Sequence, residues 1–258
     1  IHGLTGNSEW KWIKPGIGQA LAADRRCKLI GMVDEADVTP RRRELNEKLA
    51  ERLRVPVLPD LDAALARDDV HVVSICAEPR RRGRIIVRAA QAGKHLYLDK
   101  PLAASLDEAD QIVAACHAAR VVSHMWSLVR LDAALRTREI VQSGRLGDLR
   151  AVHCDVTFAK GQAGTAKTGR PRRETADPRV YELVDSKREL TNVGVYPLVM
   201  LLWMTGRHVR RVRATTGNYF FREHQDNDME DFGQLLLELD GGLTATIAAG
   251  RTGWKSHP

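Results

Sequence analysis

The sequence predicts an α/β protein in which a doubly wound parallel sheet is followed by an α+β domain with a largely antiparallel open sheet. Up to residue 123, short apolar runs typical of strands alternate with helix-like segments, which is the pattern of a parallel sheet with crossover helices. From His124 onward the pattern changes to longer, alternating strands and one apolar helix. We therefore predict two domains, residues 1–123 and residues 124–258.

The composition fits two ordinary domains in a reducing compartment. The chain has 258 residues, 43% of them hydrophobic, and no stretch approaches the ~20 apolar residues that span a bilayer. Cys27, Cys76, Cys116 and Cys154 are far apart and form no Cys-x-x-Cys pair. We expect reduced thiols, a cytoplasmic location, no metal site and no membrane partner.

Arginine clusters at residues 41–43, 80–84 and 170–173 contribute to a formal net charge of +7. A nucleic-acid surface is one interpretation of such clusters. No helix-turn-helix, zinc-finger or RNP pattern accompanies them. We therefore predict solvated arginines, with a small anionic ligand, and no nucleic-acid partner.

The first turn of the predicted parallel sheet contains Gly3, Thr5 and Gly6. We expect Ile1 to be the tail of a strand that begins before it, and the turn to contact a dinucleotide cofactor. The turn departs from the Gly-x-Gly-x-x-Gly fingerprint, because Thr5 occupies the place of the second glycine and no third glycine follows at the right spacing.

An acidic residue, Asp34, ends the second predicted strand at residues 27–33. A carboxylate at this position commonly binds the ribose hydroxyls of the adenosine half of a dinucleotide. Asp34 lies ~30 residues past the glycine turn rather than the usual ~20, and a loop inserted at residues 8–15 accounts for the excess. The alternative is a surface aspartate in a turn.

The remaining elements of the first domain follow in order. We predict strands at residues 55–58, 70–75, 93–98 and 121–123, and helices at residues 41–53, 61–66, 85–92 and 106–118. Ser105 and Glu108 have the capping-box spacing that opens the last of these helices. Ala77 and Pro79 belong to a loop at a carboxyl strand end, where we expect the cofactor.

Lys100 lies where the strand of residues 93–98 ends, between Asp99 and Pro101. In an open parallel sheet the ligand crevice lies outside the carboxyl ends of the strands. A lysine there can bind a carbonyl oxygen or move a proton. The alternative is a solvated lysine before a loop.

The second domain begins with a helix and an alternating strand. We predict helices at residues 132–143 and 193–204, strands at residues 149–158, 209–216, 234–239 and 243–249, and a long loop at residues 161–178. Asp240, Gly241 and Gly242 form the hairpin between the last two strands. We expect the domain to continue beyond Pro258, because the sequence ends soon after a strand.

Several segments resemble the glucose–fructose oxidoreductase, inositol dehydrogenase and MocA (Gfo/Idh/MocA) family. These segments are Asp34, residues 55–57, residues 93–95, residues 99–101, residues 143–147 and residues 192–197. The Lys-Pro and Gly-Val-Tyr-Pro segments, in this order, are the specific part, and the resemblance covers nearly the whole chain. It implies an N-terminal Rossmann domain, a C-terminal domain for substrate binding and oligomerisation, and hydride transfer between NAD(P) and a hydroxyl or carbonyl of a sugar, polyol or diol.

The resemblance also implies site residues. The family's active-site lysine corresponds to Lys100, with Asp99 in place of a glutamate. Because that lysine contacts both the substrate oxygen and the nicotinamide ribose in the family, the resemblance implies Asp99 and Lys100 as cofactor contacts too. Its helix aspartate corresponds to Asn192, and its histidine or tyrosine one turn later to Tyr196. Asn192 and Tyr196 are four residues apart and so share one helix face, where Tyr196 has the chemistry of a general acid–base group. A capping asparagine and a core tyrosine are the alternative.

His124 and Trp126, at the crossing between the domains, are further candidates for the substrate pocket. The implied cofactor is NAD or NADP. Asp34 favours NAD, because a 2′-phosphate would meet its carboxylate, whereas the arginines at residues 41–43 could reverse this preference.

Three departures from the family pattern favour a second hypothesis, a nucleotide-sensing protein without catalysis. The glycine turn is degraded, Asn192 removes a carboxylate, and Arg82 replaces a histidine. The intact Lys100 and Tyr196 favour the enzyme. Fold alone does not decide between the two.

The sheet of the second domain is predicted to have an apolar face that few helices cover. Val152, Leu235, Leu237 and Ile247 would form this face. Because such a patch seldom stays in contact with water, we predict a homodimer or homotetramer, which the resemblance also implies.

Overall fold

The computed structural model describes residues 24–34, 40–77, 79–159 and 188–252. The chain divides into two compact units, Ile1–Trp126 and Ser127–Pro258. The predicted glycine turn with Gly3, Thr5 and Gly6 lies outside the described residues, as does the predicted long loop.

Parallel strands and helices alternate along the first unit. Its strands are β1 (Met32–Val33), β2 (Val57–Leu58), β3 (Val72–Ile75), β4 (His95–Leu98) and β5 (Ser123–Met125), and its helices are α1 (Pro40–Leu53), α2 (Leu61–Leu65), α3 (Pro79–Gln91) and α4 (Leu106–Ala118). β1 pairs with β2, β3 with β4, and β4 with β5, each in parallel. The predicted parallel α/β fold is confirmed.

Several elements of the first unit begin elsewhere than predicted, among them α3 and β5. α3 begins at Pro79 rather than at residue 85, because proline suits the first helical position, where its missing N–H has no intrahelical partner to lose. β5 begins at Ser123 rather than at residue 121, since Val121 still donates its N–H to Cys116 at the end of α4. The sheet of the first unit therefore extends through His124.

β1 is shorter than the predicted strand of residues 27–33. Of residues 27–33, all of which the structure describes, Met32 and Val33 are the two that pair with another strand, β2. Residues 27–31, the rest of the predicted strand, lie outside regular secondary structure.

Apolar side chains from α3 and α4 bury the sheet of the first unit. Their shared core contains Ile75, Ile86, Ala89, Leu98, Ile112 and Cys116. The predicted capping box opens α4, because Ser105 Oγ accepts the N–H of Glu108 at 3.2 Å and the Glu108 carboxylate accepts the N–H of Ala104 at 2.9 Å. The cap and the shared core together fix the position of α4 in the first unit.

The second unit has helices on a mixed, mostly antiparallel sheet. Its elements are α5 (Asp132–Gln142), β6 (Ala151–Ala159), α6 (Glu189–Asn192), α7 (Val195–Thr205), β7 (Val209–Gly217), α8 (Arg222–Asp226), β8 (Phe232–Leu239) and β9 (Thr244–Thr252). The strand order is β6-β9-β8-β7; β8 is antiparallel to both neighbours, and β6 is parallel to β9. The tight connection from β8 to β9 includes Gly241 and Gly242, both in the left-handed region at φ 69° and 72°. The predicted α+β class is confirmed.

The apolar face of this sheet is covered, contrary to the prediction. Leu237 and Ile247 are 1% exposed, and Val152 and Leu235 pack against the same core. This core includes Leu201 of α7, so the unit's own helix covers these side chains. The predicted homodimer or homotetramer thus loses its argument from an uncovered apolar face, and light scattering is its direct test.

Candidate active site

The carboxyl ends of three strands in the first unit lie in register. Ile75, Leu98 and Met125 are aligned across β3, β4 and β5. The ladder continues one residue further, since Asp99 N–H donates to Ile75 at 3.1 Å and Trp126 N–H donates to Leu98 at 2.8 Å. The segments that follow these strands therefore share one edge of the sheet, the position of ligand crevices in parallel sheets.

Lys100 is buried at this edge. It is 8% exposed, and its neighbour Asp99 is 6% exposed. The backbone N–H of Lys100 donates to Asp99 Oδ1 at 2.9 Å. A solvated lysine before a loop, the alternative left open by the sequence, does not describe this burial. Burial of an amino group is costly, and lysines that bear this cost are common where charge or proton transfer is needed.

One guanidinium braces the backbone around Lys100. Arg82, on α3, is 3% exposed. Its Nε and Nη2 donate to the carbonyl of Ala77 at 2.9 and 2.6 Å, and its Nη1 donates to the carbonyl of Asp99 at 2.7 Å and also to that of Pro101. Because the two residues that flank Lys100 are both held, the Lys100 backbone has little freedom. The sequence showed Arg82 only as a departure from a family pattern and did not predict this role.

The other predicted cofactor contacts of the first unit lie at strand ends. Ala77 is fully buried just after β3, and Pro79 opens α3. Asp34 follows β1, and its Oδ1 accepts a hydrogen bond from the side-chain amide of Asn46. Asn46 is 2% exposed on α1. The Asp34 carboxylate is thus anchored from one side, which does not fit a free surface aspartate.

His124 and Trp126 are half-buried in and after β5. The ring of His124 lies 5.8 Å from the ring of Tyr97, with 30° between the ring planes. Burial raises the pKa of the Tyr97 phenol, and the nearby Cys76 and Asp99 add to this effect. Tyr97 is therefore a neutral neighbour of the strand end at ordinary pH.

The helix predicted at residues 193–204 is α7, and a separate short helix, α6, precedes it. α6 ends at Asn192 and α7 begins at Val195. The carbonyl of Glu189 accepts the N–H groups of both Val193 and Gly194, at 2.7 and 3.2 Å. This wide turn means that Asn192 and Tyr196 do not belong to one uninterrupted α-helix, although four residues separate them. Asn192 is 7% exposed and Tyr196 is half-buried.

A buried carboxylate accompanies Asn192. Glu189, on α6, is fully buried, and its Oε1 lies 2.5 Å from Nε of Arg251 on β9. Its Oε2 lies 3.3 Å from the amide nitrogen of Asn192, which donates to it. The sequence did not predict Glu189 or Arg251 as site residues. The spacing of three between Glu189 and Asn192 on a helix was the available signal.

Metal ligands and membrane-spanning helices can be judged for the same part of the chain. Among the described residues, no three histidine, cysteine, aspartate or glutamate side chains come together as a group that could hold a metal ion. No helix within the described ranges is long and apolar enough to cross a membrane.

The first unit has a parallel sheet with a buried lysine at its carboxyl edge, where parallel sheets commonly bind nucleotides, and an α+β unit follows it. Residues 16–126 match the model of the oxidoreductase family with an NAD-binding Rossmann fold, and residues 134–257 match that of the Gfo/Idh/MocA C-terminal domain. The chain belongs to the Gfo/Idh/MocA oxidoreductase family.

Among curated proteins, the chain is similar to dTDP-3,4-didehydro-2,6-dideoxy-alpha-D-glucose 3-reductase from Streptomyces violaceoruber. The two are 29% identical over 225 residues, which cover 84% of this chain and 60% of that protein. A second reductase of the same name, from Actinomadura kijaniata, is 23% identical over 83% of this chain and 59% of its own. The chain thus spans about 60% of the length of these relatives.

Solved structures show the same fold. Scyllo-inositol dehydrogenase from Lactobacillus casei, solved with NAD(H) and scyllo-inositol, has a TM-score of 0.74 at 17% identity and covers 98% of this chain and 69% of its own. UDP-N-acetylglucosamine 3-dehydrogenase from Acidithiobacillus ferrooxidans has a TM-score of 0.69 at 23% identity, with coverage of 93% and 66%.

Proposed function

We propose that this protein transfers hydride between a nicotinamide cofactor and a hydroxyl or carbonyl carbon of a sugar or polyol. The observation that carries the proposal is the buried Lys100 at the carboxyl edge of the sheet, with its backbone held by Arg82. The similarity of 84% of this chain to a dTDP-sugar 3-reductase also supports the proposal.

The residues of the first unit fit a dinucleotide. Asp34 offers a carboxylate that accepts hydrogen bonds from ribose hydroxyls, and Asn46 fixes its orientation. The N–H groups of the first turn of α3 lie just beyond β3, where they suit a negatively charged ligand. When bound, the cofactor accepts or gives the hydride; the chain's residues orient the substrate and move the proton.

We propose NAD as the preferred cofactor. A 2′-phosphate at Asp34 would bring two negative charges together, whereas ribose hydroxyls donate to the carboxylate. Equilibrium titrations with NAD and NADP test this preference. We expect tighter binding of NAD, and a weaker preference in Asn46→Ala because Asp34 loses its anchor. Tighter binding of NADP by the unaltered protein would contradict it.

In the proposed reaction, the Lys100 ammonium donates a hydrogen bond to the substrate oxygen and stabilises the negative charge that develops there. Tyr196, in its ionised phenolate form, accepts the hydroxyl proton during oxidation, and as the phenol it returns this proton during reduction. In oxidation a C–H bond breaks as hydride leaves, the O–H proton goes to Tyr196, and a C=O bond forms.

A screen of sugars, inositols and nucleotide-linked sugars, followed by the absorbance of reduced nicotinamide, tests the function. We expect turnover with at least one substrate, and a loss of about 10² or more in Tyr196→Phe, which removes only the phenol oxygen. Lys100→Arg should lose activity as well, because the planar guanidinium of arginine does not replace the compact ammonium of lysine. Nucleotide binding without turnover across the panel would favour the sensor that the degraded glycine turn and Asn192 suggest.

A further inference from the structure

We propose that Glu189 is a positioning residue that orients the side-chain amide of Asn192, so that Asn192 offers an oxygen acceptor to a donor group of the substrate. This inference rests on the proposed function for its catalytic consequence. Its structural part concerns only the buried contacts of the second unit.

The two oxygens of the Glu189 carboxylate lie next to groups of different kinds, a cation beside Oε1 and an amide that donates a hydrogen bond to Oε2. Oε1 faces the guanidinium of Arg251 at 2.5 Å, and the two side chains are 1% and 15% exposed. Oε2 accepts from the Asn192 amide at 3.3 Å. With a cation this close in a buried place, the carboxylate is favoured in its charged form, and removal of either partner leaves a costly buried charge.

A charged carboxylate can only accept hydrogen bonds. The end of the Asn192 amide that faces Glu189 is therefore the NH₂ group, and the oxygen is the other end. An amide oxygen has two lone pairs and accepts hydrogen bonds, as from a substrate hydroxyl. Glu189 thus selects the polarity that Asn192 presents.

The same contact accounts for an asparagine at position 192. An aspartate there would place a second carboxylate against Glu189 at hydrogen-bond distance. Two such groups cannot both ionise without a large penalty, so the pair would hold a shared proton with a raised pKa.

Among the residues that the structure describes, Arg188, Glu230 and Asp231 are charged groups near α6 that already have partners. Arg188 Nη1 lies 2.8 Å from Glu230. The Asp231 carboxylate accepts three backbone N–H groups of residues 219–221, at 2.7 to 3.1 Å. Arg251 is the cation that faces Glu189 from β9. A new carboxylate at position 192 would therefore meet Glu189 first.

The test is an exchange of the two groups. In Asn192→Asp alone, two carboxylates face each other. In Glu189→Gln alone, the introduced glutamine can turn its amide oxygen toward Arg251, but its NH₂ group then faces Asn192. The Asn192 amide must reverse in response, so that its oxygen faces this new donor and no longer faces the substrate. In the double variant, the introduced glutamine would accept from Arg251 and donate to the introduced aspartate, so every donor and acceptor is matched again.

Kinetics carry the first readout. We expect each single variant to lose about 10- to 100-fold in kcat/KM at pH 8, the scale of a misplaced substrate-positioning group. The double variant should recover to within a few-fold of the unaltered protein. The loss in Asn192→Asp should shrink as the pH falls, because the shared proton restores a donor toward Glu189. Thr191→Asp, which adds a carboxylate at an exposed position of α6, is the matched control and should keep its activity.

Thermal stability carries the second readout and needs no substrate. The raised pKa of the pair in Asn192→Asp means that the folded state binds more protons than the unfolded state, so stability falls as the pH rises. We expect its Tm deficit to be larger at pH 8 than at pH 5, and we expect this pH dependence to disappear in the double variant, in which one carboxylate remains. Single variants with unchanged kinetics, or a double variant no better than the singles, would overturn the inference. If no substrate is turned over at all, the proposed function fails, and the Tm pattern alone decides on the orientation of Asn192.

Discussion

Replacement of Arg82 by methionine is expected to weaken the first unit strongly. Methionine fills a similar length but donates no hydrogen bond, so the carbonyls of Ala77, Asp99 and Pro101 lose their common donor. A buried acceptor left without a partner costs about 1–3 kcal/mol. Because backbone shifts and water would recover part of three such losses, we expect a total destabilisation of about 3–5 kcal/mol.

Circular dichroism during thermal and urea unfolding measures this loss. For a protein of this size, about 1 kcal/mol corresponds to a Tm shift of ~2–4 °C, so the expected decrease is ~6–20 °C. Arg84→Met, at an exposed position of the same helix, is the control and should stay within about 0.5 kcal/mol of the unaltered protein. Arg82→Lys should be intermediate, because an ammonium cannot reach all three carbonyls as a planar fork does. Equal stability of Arg82→Met and Arg84→Met would refute the role of Arg82 as a brace.

Two further predictions concern the second unit. Gly194→Ala should lower the free energy of unfolding by about 1–3 kcal/mol, because the added Cβ would lie 2.6 Å from the Leu190 carbonyl oxygen. Urea titration measures this change, and an unchanged midpoint would contradict the close approach of Gly194 to Leu190. The hydrogen bond from Arg210 holds the pKa of Asp240 below its usual value of 3.8, so the stabilisation from this group is present above that value and is lost as the pH falls through the lower folded pKa. Asp240→Asn should therefore flatten the acid limb of a Tm–pH curve, and an unchanged limb would show that the pair contributes nothing measurable.

The sequence predicted those parts of the fold that depend on local patterns. α4 begins at the predicted Leu106, because a capping box and an apolar face specify it together. β1 is shorter than its apolar run, since strand length depends on a partner strand and not on the run itself. The covered face of the second sheet was predicted wrongly, because alternation in a strand shows that one face is apolar but not which element packs on it.

The candidate site shows the same division. Lys100 and Asn192 were found from short motifs, and both are buried in the structure. Arg82 was not predicted as a site residue, because its partners are backbone carbonyls, one of them that of Asp99. Glu189 was not predicted, because its ionic partner, Arg251, is distant in the sequence. Such contacts leave no periodic signal in a single sequence.

The most direct test of the account is the single-turnover rate of hydride transfer in Lys100→Ala, measured with saturating cofactor and the best substrate of the screen. We predict a rate at least about 10²-fold below that of the unaltered protein, with the Tm little changed, while the exposed-site control Lys48→Ala keeps the full rate. A Lys100→Ala rate equal to that of the unaltered protein would contradict the role of Lys100 and with it the proposed mechanism.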